Sequence, residues 1–135
     1  MRRSSIISAI TLVLLAFTVD SGHCISIEAQ LQNIARETRK SLPMQIGDEV
    51  QATNIAAVGK TILNTYNFTK KKLALGNLNN VKAVYYNSSV NASCSNPDVL
   101  QTLKYGVSVV YEYYDVDNIF VMKFTIDQNT CRGFK

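Results

Sequence analysis

Residues 94–131 read CSNPDVLQTLKYGVSVVYEYYDVDNIFVMKFTIDQNTC. Asn96-Pro97-Asp98 is a helix start. The asparagine caps, the proline takes the first helical position where a missing N–H costs nothing, and the aspartate faces the positive end of the helix. Val99, Leu100 and Leu103 make the apolar stripe, and Gly106 supplies the left-handed residue that ends the helix. Val107, Val109, Tyr111 and Tyr113 then alternate with Ser108, Val110, Glu112 and Tyr114. Beyond the polar turn at Asp115 to Asn118, Phe120, Met122, Phe124 and Ile126 alternate with Ile119, Val121, Lys123 and Thr125. A period of two on both sides of a polar turn predicts an antiparallel hairpin. Cys94 precedes the helix and Cys131 follows the hairpin, so a bridge between them would tie the helix to the hairpin's far edge.

The chain's beginning bears on whether that bridge forms. Arg2 and Arg3 open a basic start, Ile6 to Phe17 is almost unbroken in apolar and small residues, and Asp20, Ser21 and Gly22 end the run. This is the layout of a secretory signal peptide, and the run is shorter than the about 20 apolar residues a spanning helix needs. Residues 1–24 are therefore read as a signal peptide and 25–135 as a single domain, with cleavage after Cys24 or after Ser26. If Cys24 leaves with the signal, Cys94 and Cys131 remain as an even pair in an exported chain, which reads as a disulfide. Export to the periplasm or beyond is the expected location.

Composition narrows the function classes. Of 135 residues, 47% are apolar and 18% charged, which is enough apolar side chain for one core and argues against disorder. Without Arg2, Arg3 and Asp20 the net charge falls from +4 to +3, too little for a nucleic-acid binder. His23 is the one histidine, and it leaves with the signal. The mature chain then has no imidazole for a metal site, a triad or proton transfer at neutral pH. No catalytic, cofactor-binding or metal-ligating residue is assigned, and the expectation is a chain that is not an enzyme and carries no cofactor.

Ser26 to Leu42 reads as a helix. Ile27, Leu31, Ile34 and Ala35 share a face, Ser26 caps, Arg39 and Lys40 suit the C-terminal end, and Pro43 closes it. From Glu49 to Thr69 the period shortens. Ile62, Asn64, Tyr66 and Phe68 fall on one side and Thr61, Leu63, Thr65 and Asn67 on the other, predicting a hairpin that turns at Gly59 and shows a solvated outer face. Asn80 would cap a further helix with Val81, Val84 and Tyr85 on one face, fading at Asn87-Ser88-Ser89. The order helix, two strands, helix, two strands predicts an α+β fold of two helix–strand–strand units, with an antiparallel four-stranded sheet, helices on one face and one disulfide.

The candidate partner surface consists of Tyr111, Tyr113 and Tyr114 with Lys70, Lys71 and Lys72. Aromatic residues favour interfaces, and three consecutive lysines offer an anion or membrane-surface contact. The plainer readings are core and edge packing for the tyrosines and a solvated connector for the lysines. Asp115, Asp117 and Asp127 lack the spaced oxygen ligands and glycine of a calcium loop and read as a hairpin turn. Asn67, Asn87 and Asn91 match the glycan acceptor pattern, which has meaning only in a eukaryotic secretory pathway.

An exported chain, a first helix ending at Leu42-Pro43, a hairpin, then Cys94, Asn96-Pro97, Val99, Leu103, Gly106-Val107, a strand pair and Thr130-Cys131 together resemble the AspS-type (GspS-beta) pilot proteins of type II secretion and related small exported bacterial proteins of unknown function. The resemblance implies a non-enzymatic protein-binding module. Such pilot proteins are outer-membrane lipoproteins that bind a C-terminal segment of the secretin and escort it. Here Ser21-Gly22-His23 precedes Cys24, and bulky His23 stands where a lipidation site wants a small residue, so removal of Cys24 is expected over its lipidation. The alternatives are a secreted inhibitor of a hydrolase such as lysozyme, using Lys70 to Lys72 or Arg132 in an acidic cleft, or another secreted factor. No stable membrane insertion is expected once the signal is gone.

Overall fold

The computed structural model describes residues 25–134. Residues 1–24, which hold the expected signal peptide with His23 and Cys24, lie outside the described residues, as does Lys135. Helix α1 (Ile27–Arg39) is capped by Ser26, whose hydroxyl accepts the Ala29 N–H at 3.1 Å. Leu31 and Ala35 are fully buried on its inner face. The chain turns at Leu42–Pro43, a cis peptide, into the two-residue strand β1 (Met44–Gln45).

Strands β2 (Val50–Val58) and β3 (Thr61–Phe68) form the first hairpin, antiparallel from Val50–Phe68 to Val58–Thr61. Its turn is Gly59-Lys60. Gly59 sits at φ +59°, a conformation that side chains with a Cβ disfavour and that the first position of a two-residue hairpin turn demands. Ile62, Asn64, Tyr66 and Phe68 are all buried, and the alternate residues are half-exposed, as the alternation predicts.

A single 3₁₀ turn (Lys72–Leu75) leads to helix α2 (Leu78–Cys94) and helix α3 (Pro97–Lys104). Helix α3 starts as read: Asn96 Oδ1 accepts the N–H groups of Asp98 and Val99, at 2.9 and 3.3 Å. Gly106, at φ +89°, redirects the chain into β4 (Ser108–Tyr114), which pairs antiparallel with β5 (Phe120–Ile126). Helix α4 (Gln128–Arg132) closes the described chain under a capping box made by Asp127 and Thr130.

The sheet differs from the expected four antiparallel strands. It has five, in the order β1-β2-β3-β4-β5, and β3 runs parallel to β4 from Thr61–Ser108 to Asn67–Tyr114. The crossover explains this. Helix α2, at 17 residues, extends roughly 25 Å at 1.5 Å per residue. Strand β3, at eight residues, covers about 26 Å. The helix therefore carries the chain back to the end where β3 began. There Ser108 donates to the Lys60 carbonyl at 3.0 Å, and Lys60 Nζ donates to the Tyr105 carbonyl at 3.1 Å.

Helix α2 is also longer than expected. Asn77, not Asn80, caps it, accepting the N–H groups of Asn79 and Asn80. It does not fade at Asn87 but runs on to Cys94, and Val84 points to solvent at 62% exposure. Its inner face after Val81 and Tyr85 is Ser89 and Ser93, both buried, where small side chains let the helix sit close to the sheet. Cys94, the last residue of α2, is bonded to Cys131 in α4 with their Cα atoms 5.3 Å apart, so the bridge joins two helices that bracket the second hairpin.

The core lies between the sheet's inner face and the helices. Tyr66, Phe68, Tyr111, Tyr113 and Phe124 stack across β3, β4 and β5. Tyr66 and Tyr113 ring centres are 4.8 Å apart, Tyr111 and Phe124 5.1 Å. Tyr85 of α2 packs on Tyr113 at 5.2 Å. Burial pushes the phenols of Tyr66, Tyr111 and Tyr113 well up from their ordinary range. The Ser93 hydroxyl near Tyr111 offsets part of that rise, without hydrogen-bond geometry between the two.

Candidate partner-binding face

The two edges of the sheet are finished differently. On the β2 side, β1 covers only Gln51 and Ala52. Beyond them α1 takes over. Gln32 Nε2 donates to the Ala57 carbonyl at 2.7 Å, and Arg39 donates through its guanidinium to the Ile55 carbonyl at 2.8 Å. Side chains thus saturate the carbonyls that an incoming strand would use, a common way of blunting an edge.

The β5 side has no such cover. The Ser108 bond to Lys60 shows that even-numbered residues of β4 turn their main-chain groups toward β3. The main-chain groups of Val109, Tyr111 and Tyr113 therefore face β5, where they meet Ile126, Phe124 and Met122. By the same alternation the N–H and C=O groups of Lys123 and Thr125 point away from the sheet. Among the described residues, none bonds to them.

Beside this edge, on the helix side, an open groove of about 390 Å³ runs between α2 and β5. It is lined by Asn79, Lys82, Ala83, Tyr86 and Phe124. Tyr86 stands edge-on to Phe124, with ring centres 5.4 Å apart. The wall is apolar apart from Asn79 and Lys82. Neither α2 nor β5 contains an aspartate or glutamate. The other charge on β5, Lys123, is drawn 3.4 Å from Glu112 on the sheet's outer face.

The expected partner surface divides. Tyr111 and Tyr113 are fully buried and cannot present a surface; they alternate in phase with Val107 and Val109, the row the helices cover. Tyr114 is half-exposed on the other face, its hydroxyl 3.2 Å from Glu112 and its ring against Phe120. Lys70, Lys71 and Lys72 lie at the same end of the sheet, because the Lys70 carbonyl accepts the Val116 N–H. Lys70 pairs with Glu49, and Lys71 is 3.9 Å from Asp117. Leu73, Val116, Ile119 and Phe120 are exposed around them, making a convex tip rather than a groove.

The acidic turn is built by Asp115. Its buried carboxylate accepts the N–H groups of Lys72, Asp117 and Ile119 at 2.8 to 2.9 Å. Burial alone would raise its pKa; the three N–H groups, with Lys71 nearby, outweigh that and hold it below the usual carboxylate range. Among the described residues no group of three or more potential metal ligands occurs, and no helix is long and apolar enough to cross a membrane. Asn67 Nδ2 is engaged with the Asp115 carbonyl and Asn118, whereas Asn87 and Asn91 are exposed on α2.

The groove along β5 escapes sequence reading. Phe124 is visible as an inner-face residue, but Tyr86 gives no sign that it would meet it, since α2 has no clean amphipathic pattern. A tyrosine off the Val81–Tyr85 stripe was the available signal.

No family model matches the chain, and no curated protein matches it in sequence. Solved structures do match. A Pseudomonas aeruginosa protein described as secreted superposes with a TM-score of 0.67 at 21% identity, over 78% of this chain and 92% of that one. EpsS, the pilotin of the Vibrio vulnificus type 2 secretion system, gives 0.63 at 14% identity, over 77% and 90%. AspS, the type II secretion system pilotin of Vibrio cholerae, gives 0.56 at 16% identity, over 77% and 91%. The chain shares the pilotin fold. The resemblance read from Asn96-Pro97, Gly106-Val107 and the two cysteines therefore holds at the level of the fold.

Proposed function

We propose that this chain is an exported, non-enzymatic protein-binding module that acts as a pilotin-like partner of a secretin. The observation that carries the reading is the coverage of the pilotin match: about nine-tenths of each pilotin chain is reproduced here, at 90% and 91%. The groove between α2 and β5, apolar and open along one side, is a surface on which such a module can take a segment of another protein. No specific observation favours the hydrolase-inhibitor alternative with Lys70 to Lys72 or Arg132.

Co-expression of the full chain with the C-terminal segment of a type II secretin from the same genome tests the reading. The two are expected to co-elute in size-exclusion chromatography. Separate elution at tens of micromolar would remove the pilotin-like role. Mass spectrometry of the mature N-terminus decides the manner of export: loss of Cys24 fits a free exported module, and a diacylated Cys24 fits an anchored one.

A further inference from the structure

We infer that the partner segment binds as an added strand along β5, extended rather than helical, with alternate apolar side chains laid in the α2–β5 groove and a carboxylate facing Lys82. This rests on the protein-binding reading and names its surface. Three observations carry it. The outward N–H and C=O groups of Lys123 and Thr125 have no bond from a described residue, whereas the Ile55 and Ala57 carbonyls on the opposite edge are bonded by Arg39 and Gln32. A strand set about 4.8 Å beyond β5 would bring its inward side chains beside Ala83, Tyr86 and Phe124 on the groove wall. The wall's charge is Lys82, with no carboxylate on α2 or β5 to neutralise it.

Main-chain bonding selects an extended segment, because a helix has already spent its own N–H and C=O groups. The charge selects an acidic one. Lys123, the type of residue that often repels edge pairing, is held over the outer face by Glu112 and leaves the edge approachable. A second copy of this chain is the poorer occupant, since two such edges would bring together lysine-bearing surfaces without carboxylates.

The test uses the full chain and a fluorescein-labelled peptide, Thr-Val-Thr-Val-Thr-Glu-Thr, whose valines and glutamate share one face of a strand, followed by anisotropy and by amide shifts in NMR spectra. Expected are shifts confined to residues 79–86 and 120–126. Affinity should drop at least tenfold when alternate peptide nitrogens are methylated, and again for Lys82→Glu. A lysine-for-glutamate peptide should regain binding to Lys82→Glu. Equal binding of the methylated peptide, or shifts on the outer face around Thr53 and Asn118, would overturn the inference. So would self-association through β5 in sedimentation velocity. A secretin segment that co-elutes while shifting residues elsewhere overturns the edge mode and leaves the binding role standing. The acidic peptide bound at β5 with no secretin segment retained does the reverse.

Discussion

The carboxylate of Asp115 accepts the backbone N–H of Lys72 at 2.8 Å, across 43 residues of chain. Through that bond, and two more to Asp117 and Ile119, one side chain pins the exit of the first hairpin to the turn of the second. Asp115→Ala leaves three partly buried N–H groups short of an acceptor and is expected to lower the melting temperature more than substitution of an exposed charge such as Glu37→Ala. Thermal melts of the two variants side by side check this.

Acid should expose the same group. The Asp115 carboxyl is held below its ordinary value of 3.8, so its charged form belongs preferentially to the folded state. The stability it contributes is whole above that ordinary value and is lost as pH falls through the lowered folded one. Melting temperature measured from pH 6 to pH 2 should therefore fall steeply below about pH 4 in the wild type. The Asp115→Asn chain should start lower and fall less.

The Cys94–Cys131 bond closes a loop with a sequence separation of 37. By chain entropy it is worth about 4 kcal/mol, a large part of the roughly 5–15 kcal/mol that holds a small domain. The Cys94→Ser/Cys131→Ser chain should lose most of that in urea titrations. Wild type melted in reductant should match it; equal melting with and without reductant would show the bridge to be idle.

Beneath α2, Ser89 Oγ is buried and has no hydrogen-bond partner, as are Ser93 Oγ and the Tyr66, Tyr111 and Tyr113 hydroxyls. Removing an unpartnered buried hydroxyl in a helix relieves a desolvation penalty and improves helix propensity. Ser89→Ala should therefore raise stability by about 1 kcal/mol. A destabilised variant would show that the hydroxyl has a partner in solution.

Gln32→Ala with Arg39→Ala strips the β2 edge of its caps. Two hydrogen bonds go, one of them from a charged donor, for a loss of about 2–4 kcal/mol. The bared Ile55 and Ala57 carbonyls should also promote association that rises with concentration, read by sedimentation velocity.

Both hairpins are legible in the sequence, because alternation such as Val107-Val109-Tyr111-Tyr113 states which face is covered, and Gly59 and the polar run Asp115 to Asn118 mark the turns. The α3 cap at Asn96-Pro97 is equally plain. The parallel pairing of β3 with β4 is not. Nothing within Thr61–Asn67 names its neighbour, and the choice depends on where a 17-residue helix delivers the chain. That helix was itself obscured. Beyond Val81 and Tyr85 its inner face continues as Ser89 and Ser93, so the apolar stripe stops halfway along it. The same alternation that reveals the second hairpin places Tyr111 and Tyr113 inside it, leaving Tyr114 and the lysines as surface. The α2–β5 groove arises from Tyr86 meeting Phe124, residues far apart in sequence, and only the fold brings them together.

The parallel join at the middle of the sheet sets an order of assembly. As the polypeptide emerges from its N-terminus, the β2–β3 ribbon can zip up at once, yet Tyr66 and Phe68 stay bare along one margin. They wait until residues through Tyr114 are available to close the seam, some 47 positions later. Until then the half-sheet has no neighbour to cover those two rings.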